Sequence, residues 1–181
     1  MTTQNPTDSV RLFFALWPDA KERAALAEWQ PALKKLCGGK AMRAGNLHAT
    51  LVFLGGVARH RLESVKLAAQ EVEGKKFDLH LDLAHYWGHN HIVHATPSVI
   101  PPQLTQLVRD LEQALSRHRF HFDGRPEYKP HVTLLRHAKW TDAPLPAIHA
   151  TTWRAGNFAL VQSLNDENGV IYQVLELFPL Q

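Results

Sequence analysis

Apolar and polar residues alternate along some stretches of the chain and recur every three to four residues along others. A period of two predicts a half-buried strand, whereas the longer period predicts an amphipathic helix. The clearest strand pattern runs from Phe77 to Ala84, where leucines alternate with polar residues. The patterns predict strands at 11–17, 46–54, 77–84, 91–95, 129–136, 151–164 and 170–177, and helices at 19–36, 62–72 and 101–115.

The predicted helices begin and end at ordinary signals. Asp19 and Glu22 form a capping-box pattern at the start of the first helix, and the pair Gly38-Gly39 ends it. Pro101-Pro102 suits the first turn of the third helix. Because neighbouring strands are joined by short turns, the order favours an α+β fold with antiparallel pairing over a doubly wound parallel sheet.

Length and composition are those of one globular domain, with 181 residues, 45% hydrophobic and 20% charged. We expect a flexible N-terminal extension at 1–9 and a single domain at 10–181, made of two pseudo-repeated lobes. A formal charge of +3 suits an anionic substrate without identifying it. The chain has no Gly-rich phosphate loop of the nucleotide-binding types.

The cellular location is predicted from cysteine content and from the N-terminus. Cys37 is the single cysteine, so an internal disulfide is excluded and a reducing compartment is expected. The apolar run 12–17 is too short for a signal peptide or a membrane span. We therefore expect a cytoplasmic protein that does not contact membranes.

Two stretches of the chain share the pattern His-x-Thr-Leu. One is His48 to Leu51 and the other is His131 to Leu134. In a strand, side chains two residues apart point to the same side, so each copy presents one imidazole and one hydroxyl together. Two such pairs facing each other across a cleft supply a general base, a general acid and two hydroxyl donors. These groups suffice for phosphodiester cleavage without a metal.

The repeated motif resembles that of the 2H phosphoesterases, specifically the RNA 2′,3′-cyclic phosphodiesterases that are also called 2′-5′ RNA ligases. The resemblance covers nearly the whole chain. Besides the two motifs, it rests on 11–16, Phe53-Leu54-Gly55, Pro130, Arg136, 160–163 and 172–180. It implies a bilobal α+β fold, with two antiparallel-sheet lobes, helices outside and a central cleft.

The resemblance also implies roles for five residues. His48 is the proton donor and His131 the proton acceptor, while Thr50, Thr133 and Arg136 bind the nonbridging phosphate oxygens. The implied reaction opens RNA 2′,3′-cyclic phosphate ends to 2′-phosphates without metal or cofactor. Its reversal joins such an end to a 5′-hydroxyl as a 2′-5′ linkage. The substrates we expect are RNA ends with a 2′,3′-cyclic phosphate, with tRNA fragments and small cyclic nucleotides as the alternatives, and we expect a monomer.

Arg136 does not follow simple alternation. It lies three residues after Thr133, so a regular strand places the two side chains on opposite faces. Either a β-bulge changes its direction, or it reaches into the cleft from the end of the strand.

Two alternatives remain open at this stage. The histidines between His85 and His94 suggest a zinc or nickel site, but no carboxylate or cysteine lies among them, and we expect a solvated hairpin instead. The second alternative concerns function. Instead of an enzyme that acts on RNA ends, the protein is a non-catalytic module that binds RNA ends, or a phosphodiesterase for small cyclic nucleotides.

Overall fold

The structure, a computed structural model, describes residues 8–139, 141–146 and 148–181. Most of the predicted N-terminal extension at 1–9 lies outside the described residues, and the first strand already begins at Ser9. No helix in the described ranges is both long enough and apolar enough to cross a bilayer.

The described residues form ten strands and four α-helices. The strands are β1 (Ser9–Leu16), β2 (Lys40–Ala41), β3 (Ala49–Ala58), β4 (Phe77–Leu81), β5 (Leu83–Trp87), β6 (Ile92–Thr96), β7 (Val132–Arg136), β8 (Thr151–Ala155), β9 (Asn157–Asp166) and β10 (Gly169–Pro179). The helices are α1 (Ala20–Ala27), α2 (Gln30–Cys37), α3 (Leu62–Gln70) and α4 (Pro102–Arg117). Helices and antiparallel strands are mixed along the chain, so the prediction of an α+β fold is confirmed.

The main sheet has eight strands, and the two motif strands lie next to each other within it. Its order is β10-β9-β1-β3-β7-β6-β5, with β2 paired to β7. β3 and β7 join at a single antiparallel pair, Ala49 with Val132. Each half of the sheet therefore contributes one motif strand to the junction. β4 and β8 form a separate two-stranded sheet.

Three predicted elements are divided in the structure. The first predicted helix ends at Ala27 and restarts at Gln30, since Pro31 has no backbone N–H to donate to the carbonyl of Ala27 and its ring crowds that carbonyl. The strand predicted at 77–84 becomes β4 and β5, which belong to different sheets. Gly156 separates β8 from β9 in the same way, so the hairpin predicted from 151 onward is formed by β9 and β10 alone.

The core lies between the main sheet and the helices. α4 turns its apolar stripe inward, as predicted, with Leu104, Leu107, Leu111 and Leu115 all buried.

A polar side chain of α2 also packs against the main sheet. Gln30 donates hydrogen bonds to the carbonyls of Met42 (2.9 Å) and Leu134 (3.0 Å). This contact ties α2 to the second motif strand.

Candidate active site

All five predicted site residues lie on the wall of one cavity of about 830 Å³. We call it the central cavity. It lies over the junction of β3 and β7, and His48, Thr50, His131, Thr133 and Arg136 all line it.

The pairing of β3 with β7 explains why the two motifs meet. Each histidine immediately precedes its strand, and the residues after the histidines, Ala49 and Val132, are the paired residues and are fully buried. Continuing this antiparallel register places His48 opposite Thr133 and Thr50 opposite His131. Directly opposed side chains have Cβ atoms about 4.5–5.5 Å apart. Two imidazoles and two hydroxyls thus form a compact group on the cavity side of the sheet.

Both imidazoles are oriented by the same backbone contact. Nδ1 of His48 donates to the carbonyl of Asn46 at 2.7 Å, and Nδ1 of His131 donates to the carbonyl of Lys129 at 2.8 Å. A carbonyl only accepts, so Nδ1 carries the hydrogen in each neutral ring. Nε2 is therefore the atom that gains or loses a proton in both histidines.

The hydroxyl of the first motif is held close to its imidazole. Thr50 Oγ1 lies 3.0 Å from Nε2 of His48, and with that tautomer the hydroxyl donates to the ring. When His48 is protonated the direction reverses, so the Thr50 hydrogen becomes free for an anionic ligand. Asn46, which supplies the carbonyl for His48, is itself anchored by its side-chain amide to the carbonyl of Val170 at 2.8 Å.

A β-bulge follows the threonine in both motifs. Along β7 the register passes from His94–Thr133 to Val93–Leu135, so Leu134 is an extra residue. Along β3 it passes from Ala15–Thr50 to Phe14–Val52, so Leu51 is the extra residue there. In each strand two consecutive apolar side chains are buried after the threonine, as a bulge requires. The leucine shared by the two motifs is therefore the bulge residue.

The bulge in β7 accounts for the position of Arg136. One extra residue reverses the alternation beyond it, so Arg136 returns to the face that carries Thr133 and lines the central cavity. The displaced carbonyl of Leu134 is satisfied by the backbone N–H of Met42 (2.9 Å) and by Gln30. Of the two alternatives predicted for Arg136, the structure has the bulge.

Phe53 takes the corresponding place after the bulge in β3. It lines the central cavity, and the guanidinium carbon of Arg11 lies 4.9 Å from the centre of its ring. In the sequence, Phe53 was recognisable only as part of the family resemblance. Arg136 lies three residues after Thr133, and Phe53 lies three residues after Thr50. This equal spacing was the signal in the sequence that Phe53 also faces the cavity.

Burial lowers the pKa of both imidazoles below the usual value for histidine. Desolvation lowers the pKa of His48 to about 4, aided by the charges of His131 and Arg136 and opposed by the bond to Asn46. Desolvation also lowers the pKa of His131, with Arg125 acting in the same direction and the Lys129 carbonyl opposing it. Both rings are therefore neutral near pH 7 in the free site. A bound anion raises both pKa values, because it stabilises the protonated rings.

Aromatic side chains enclose each histidine. Phe13, Trp17 and Tyr172 surround His48, with ring centres 5.0, 5.7 and 5.0 Å away. Trp87 contacts His131 edge to face at 4.5 Å. Most of these neighbours come from β1, β5 and β10, which are far from the motifs in sequence, and no local pattern indicated the contacts.

The predicted solvated hairpin at 85–94 is wrong for His94. That side chain is 1% exposed, its ring lies 4.0 Å from Trp87 and 5.5 Å from His131, and desolvation lowers its pKa to about 3. Its position follows from pairing with Thr133, which places both on the same face. Within the described residues, no three His, Cys, Asp or Glu side chains are grouped as metal ligands.

Comparison with known proteins finds clear relatives. The family described as LigT-like phosphoesterase matches residues 16–94 and 95–172, so each matched segment contains one motif. The chain is 34% identical over 128 residues to the RNA 2′,3′-cyclic phosphodiesterase of Escherichia coli, covering 71% of this chain and 72% of that protein. It is 27% identical to the enzyme of the same name from Thermus thermophilus, covering 95% and 91%.

A solved structure has the same fold. E. coli LigT in complex with 3′-AMP superposes with a TM-score of 0.83 at 28% identity, covering 96% of this chain and 99% of that one.

Proposed function

The chain belongs to the LigT-like phosphoesterase family, and from this membership we propose that it hydrolyses RNA 2′,3′-cyclic phosphate ends to 2′-phosphomonoesters. Two imidazoles perform the acid–base chemistry, without metal or cofactor. The observation that carries this proposal is the matched pair of histidines. Each is oriented through Nδ1, each gains or loses its proton at Nε2, and both line one cavity with two threonines and an arginine.

The proposed reaction is an in-line displacement at phosphorus. Nε2 of His131 takes a proton from water as the water oxygen bonds to phosphorus. The bond from phosphorus to O3′ breaks, and Nε2 of His48 gives its proton to that oxygen. Thr50, Thr133 and Arg136 stabilise the nonbridging oxygens, where negative charge accumulates. With a 5′-hydroxyl in place of water, the same steps form a 2′-5′ linkage.

RNA is a suitable substrate class because the cavity wall is cationic beyond the reacting groups. Arg11 and Arg59 line the central cavity together with Arg136, and arginines neutralise phosphates along a chain. This arrangement favours oligonucleotide ends over small cyclic nucleotides.

We also propose that the protein is cytoplasmic and monomeric. The free, buried thiol of Cys37 supports a reducing compartment.

The test is turnover of an RNA oligomer ending in a 2′,3′-cyclic phosphate, with a chelator present throughout. We expect a 2′-phosphate product and lower KM for the oligomer than for a cyclic mononucleotide. Binding of the oligomer without turnover would instead identify a module that binds RNA ends, and loss of turnover on chelation would identify a metal-dependent enzyme.

Replacement of Arg136 tests whether the bulge serves substrate binding. Arg136→Ala removes a charge-assisted hydrogen bond, which contributes about 1.5–3 kcal/mol. We therefore expect it to lower kcat/KM by about 10- to 100-fold. Arg136→Lys should recover part of that loss, because it keeps the charge but not the planar group. Arg117→Ala on α4 is the matched control, since Arg117 is exposed and does not line the central cavity. An effect of Arg136→Ala no larger than that of the control would remove Arg136 from the proposed site.

The lowered histidine pKa values predict different pH optima for kcat/KM and kcat. The profile of kcat/KM follows the free enzyme, in which the pKa of His48 is about 4 and that of His131 lies below 6.5. One ring must be protonated and the other neutral, so kcat/KM should peak between these values, on the acidic side of pH 6.5. The profile of kcat should peak at higher pH, since bound phosphate raises both pKa values. Coincident optima above pH 6.5 would contradict the assignment.

A further inference from the structure

A second cavity of about 470 Å³ opens beside the central one. Thr50, Phe53, Asn90 and His131 line both cavities, so the two are contiguous at the reacting groups. The second cavity is completed by the loop before β7 and by the hairpin of β5 and β6. Its further lining includes Trp87, Glu112, Asp123, Arg125 and Lys129.

The two catalytic histidines are not equivalent with respect to this cavity. His131 lies on the wall of both cavities, whereas His48 lines the central cavity only. In an in-line displacement, the nucleophile and the leaving oxygen are on opposite sides of phosphorus. The proton acceptor stands beside the nucleophile and the proton donor beside the leaving group. The second cavity is therefore on the side from which the nucleophile approaches.

The size of the cavity exceeds what hydrolysis needs. One water takes up about 30 Å³ of liquid volume, whereas pockets for small organic ligands measure about 300–1,000 Å³. A volume of about 470 Å³ thus suits a nucleoside, whose 5′-hydroxyl can take the place of the water.

The lining fits an RNA 5′ end. Trp87 is half-buried and offers an aromatic surface on which a base can stack. Alanine substitutions show that such stacking contributes about 1–3 kcal/mol of binding free energy per base. Lys129 and Arg125 supply positive charge for the phosphate that follows the first nucleoside. Each is in an exposed ion pair, with Glu127 at 3.7 Å and Asp123 at 3.5 Å. Such exposed pairs are weak, so a phosphate can displace the carboxylates.

We propose that the second cavity binds a nucleoside with a free 5′-hydroxyl, as found at the 5′ end of a second RNA, and presents that hydroxyl to His131. This inference rests on the proposed function. The oxygen of the 5′-hydroxyl bonds to phosphorus while its proton passes to Nε2 of His131. The bond to O3′ breaks and that oxygen takes the proton of His48. The product is a 2′-5′ phosphodiester with a free 3′-hydroxyl.

The experiment measures how one cyclic phosphate end divides between joining and hydrolysis. A labelled oligomer with a 2′,3′-cyclic phosphate reacts in the presence of increasing concentrations of a 5′-hydroxyl dinucleoside monophosphate. We expect the ratio of joined to hydrolysed product to rise and then saturate, because the acceptor occupies a site. A dinucleoside monophosphate should reach half-saturation at lower concentration than a nucleoside, because only the former carries the phosphate for Lys129 and Arg125.

Variants locate the site through the same ratio, which does not depend on overall rate. At subsaturating acceptor, Lys129→Ala should lower the ratio about tenfold through loss of a charged contact, and Trp87→Ala should lower it by about 5- to 100-fold through loss of stacking. The backbone carbonyl that orients His131 remains in Lys129→Ala. Lys35→Ala is the matched control, because Lys35 is exposed and lines neither cavity, and its ratio should equal that of the unmodified protein.

The outcomes separate the two proposals. Absence of hydrolysis by the unmodified protein would overturn the proposed function and this inference with it. Hydrolysis with a ratio that stays at background, or that rises linearly without saturation, would overturn the second cavity as an acceptor site and leave the proposed hydrolysis intact. A saturating ratio that Lys129→Ala and Trp87→Ala leave unchanged would place the acceptor elsewhere.

Discussion

His48→Ala and His131→Ala should each lower kcat for an RNA 2′,3′-cyclic phosphate by about 10³-fold, within the range of about 10²–10⁴ typical of general acid–base catalysis. Both imidazoles have Nδ1 committed to a backbone carbonyl, so alanine removes the proton-transferring Nε2 while the strand pairing beneath it remains. The measurement is single-turnover cleavage with enzyme in excess, which separates the chemical step from product release.

The matched control is His60→Ala, since His60 is exposed and lines neither cavity, and its rate should equal that of the unmodified protein. Activity of either active-site variant within tenfold of that control would contradict the two-histidine mechanism.

The same variants can assign the two roles when the leaving 3′-oxygen is replaced by sulfur. A thiolate leaves without protonation far more readily than an alkoxide, because the pKa of a thiol is about 8.5. The loss caused by His48→Ala should then shrink to about tenfold or less, whereas the loss caused by His131→Ala should persist, since the water must still be deprotonated. Rescue of the His131 variant in place of the His48 variant would reverse the assignment.

The central arrangement of the site was predictable because it depends on local periodicity. Side chains two residues apart in a strand lie on the same face, so each histidine could be placed beside its threonine from the sequence alone. Repetition of the motif then indicated one shared cleft. The structure brings these four side chains together through a single pairing, Ala49 with Val132, which no local pattern specifies.

The direction of Arg136 depends on one extra residue, and that is why sequence left two alternatives. A count of alternation assumes a regular strand, whereas a bulge is stabilised by contacts from elsewhere in the chain. Here the freed carbonyl of Leu134 is bonded by Met42 and by Gln30, which lies 104 residues away in sequence. The matching bulge at Leu51 suggests a rule for such motifs, in which the leucine after the threonine turns the third residue after that threonine toward the cleft.

The environment of the histidines was the least predictable part. Phe13 and Tyr172 reach His48 from strands near opposite ends of the chain, and His94 is buried where β6 pairs with β7 and Trp87 of β5 covers its ring. The cluster from His85 to His94 looked polar and therefore solvated. Tertiary pairing decided its burial, and Nδ1 of His94 has no hydrogen-bond partner within the described part of the chain.

Gly39→Ala should lower the free energy of unfolding by about 2–4 kcal/mol and also impair the site. Gly39 has φ +81°, which disfavours any side chain, and an added Cβ would lie 2.5 Å from the carbonyl oxygen of Arg136 and 2.9 Å from the backbone nitrogen of Ala138. Both contacts are with backbone, so the end of β7 must move. Since Arg136 lies on that segment, kcat/KM measured on the folded variant should fall as well.

Gly38→Ala is the matched control for this effect. Gly38 has φ +64°, so alanine is strained there too, but an added Cβ would meet nothing within 4 Å. We expect it to lose about 1–3 kcal/mol of stability through backbone strain alone and to keep the kcat/KM of the unmodified protein. Urea unfolding and steady-state kinetics on both variants provide the comparison. Equal losses of stability with unchanged kcat/KM in both would mean that the contact between Gly39 and β7 does not hold Arg136 in the cavity.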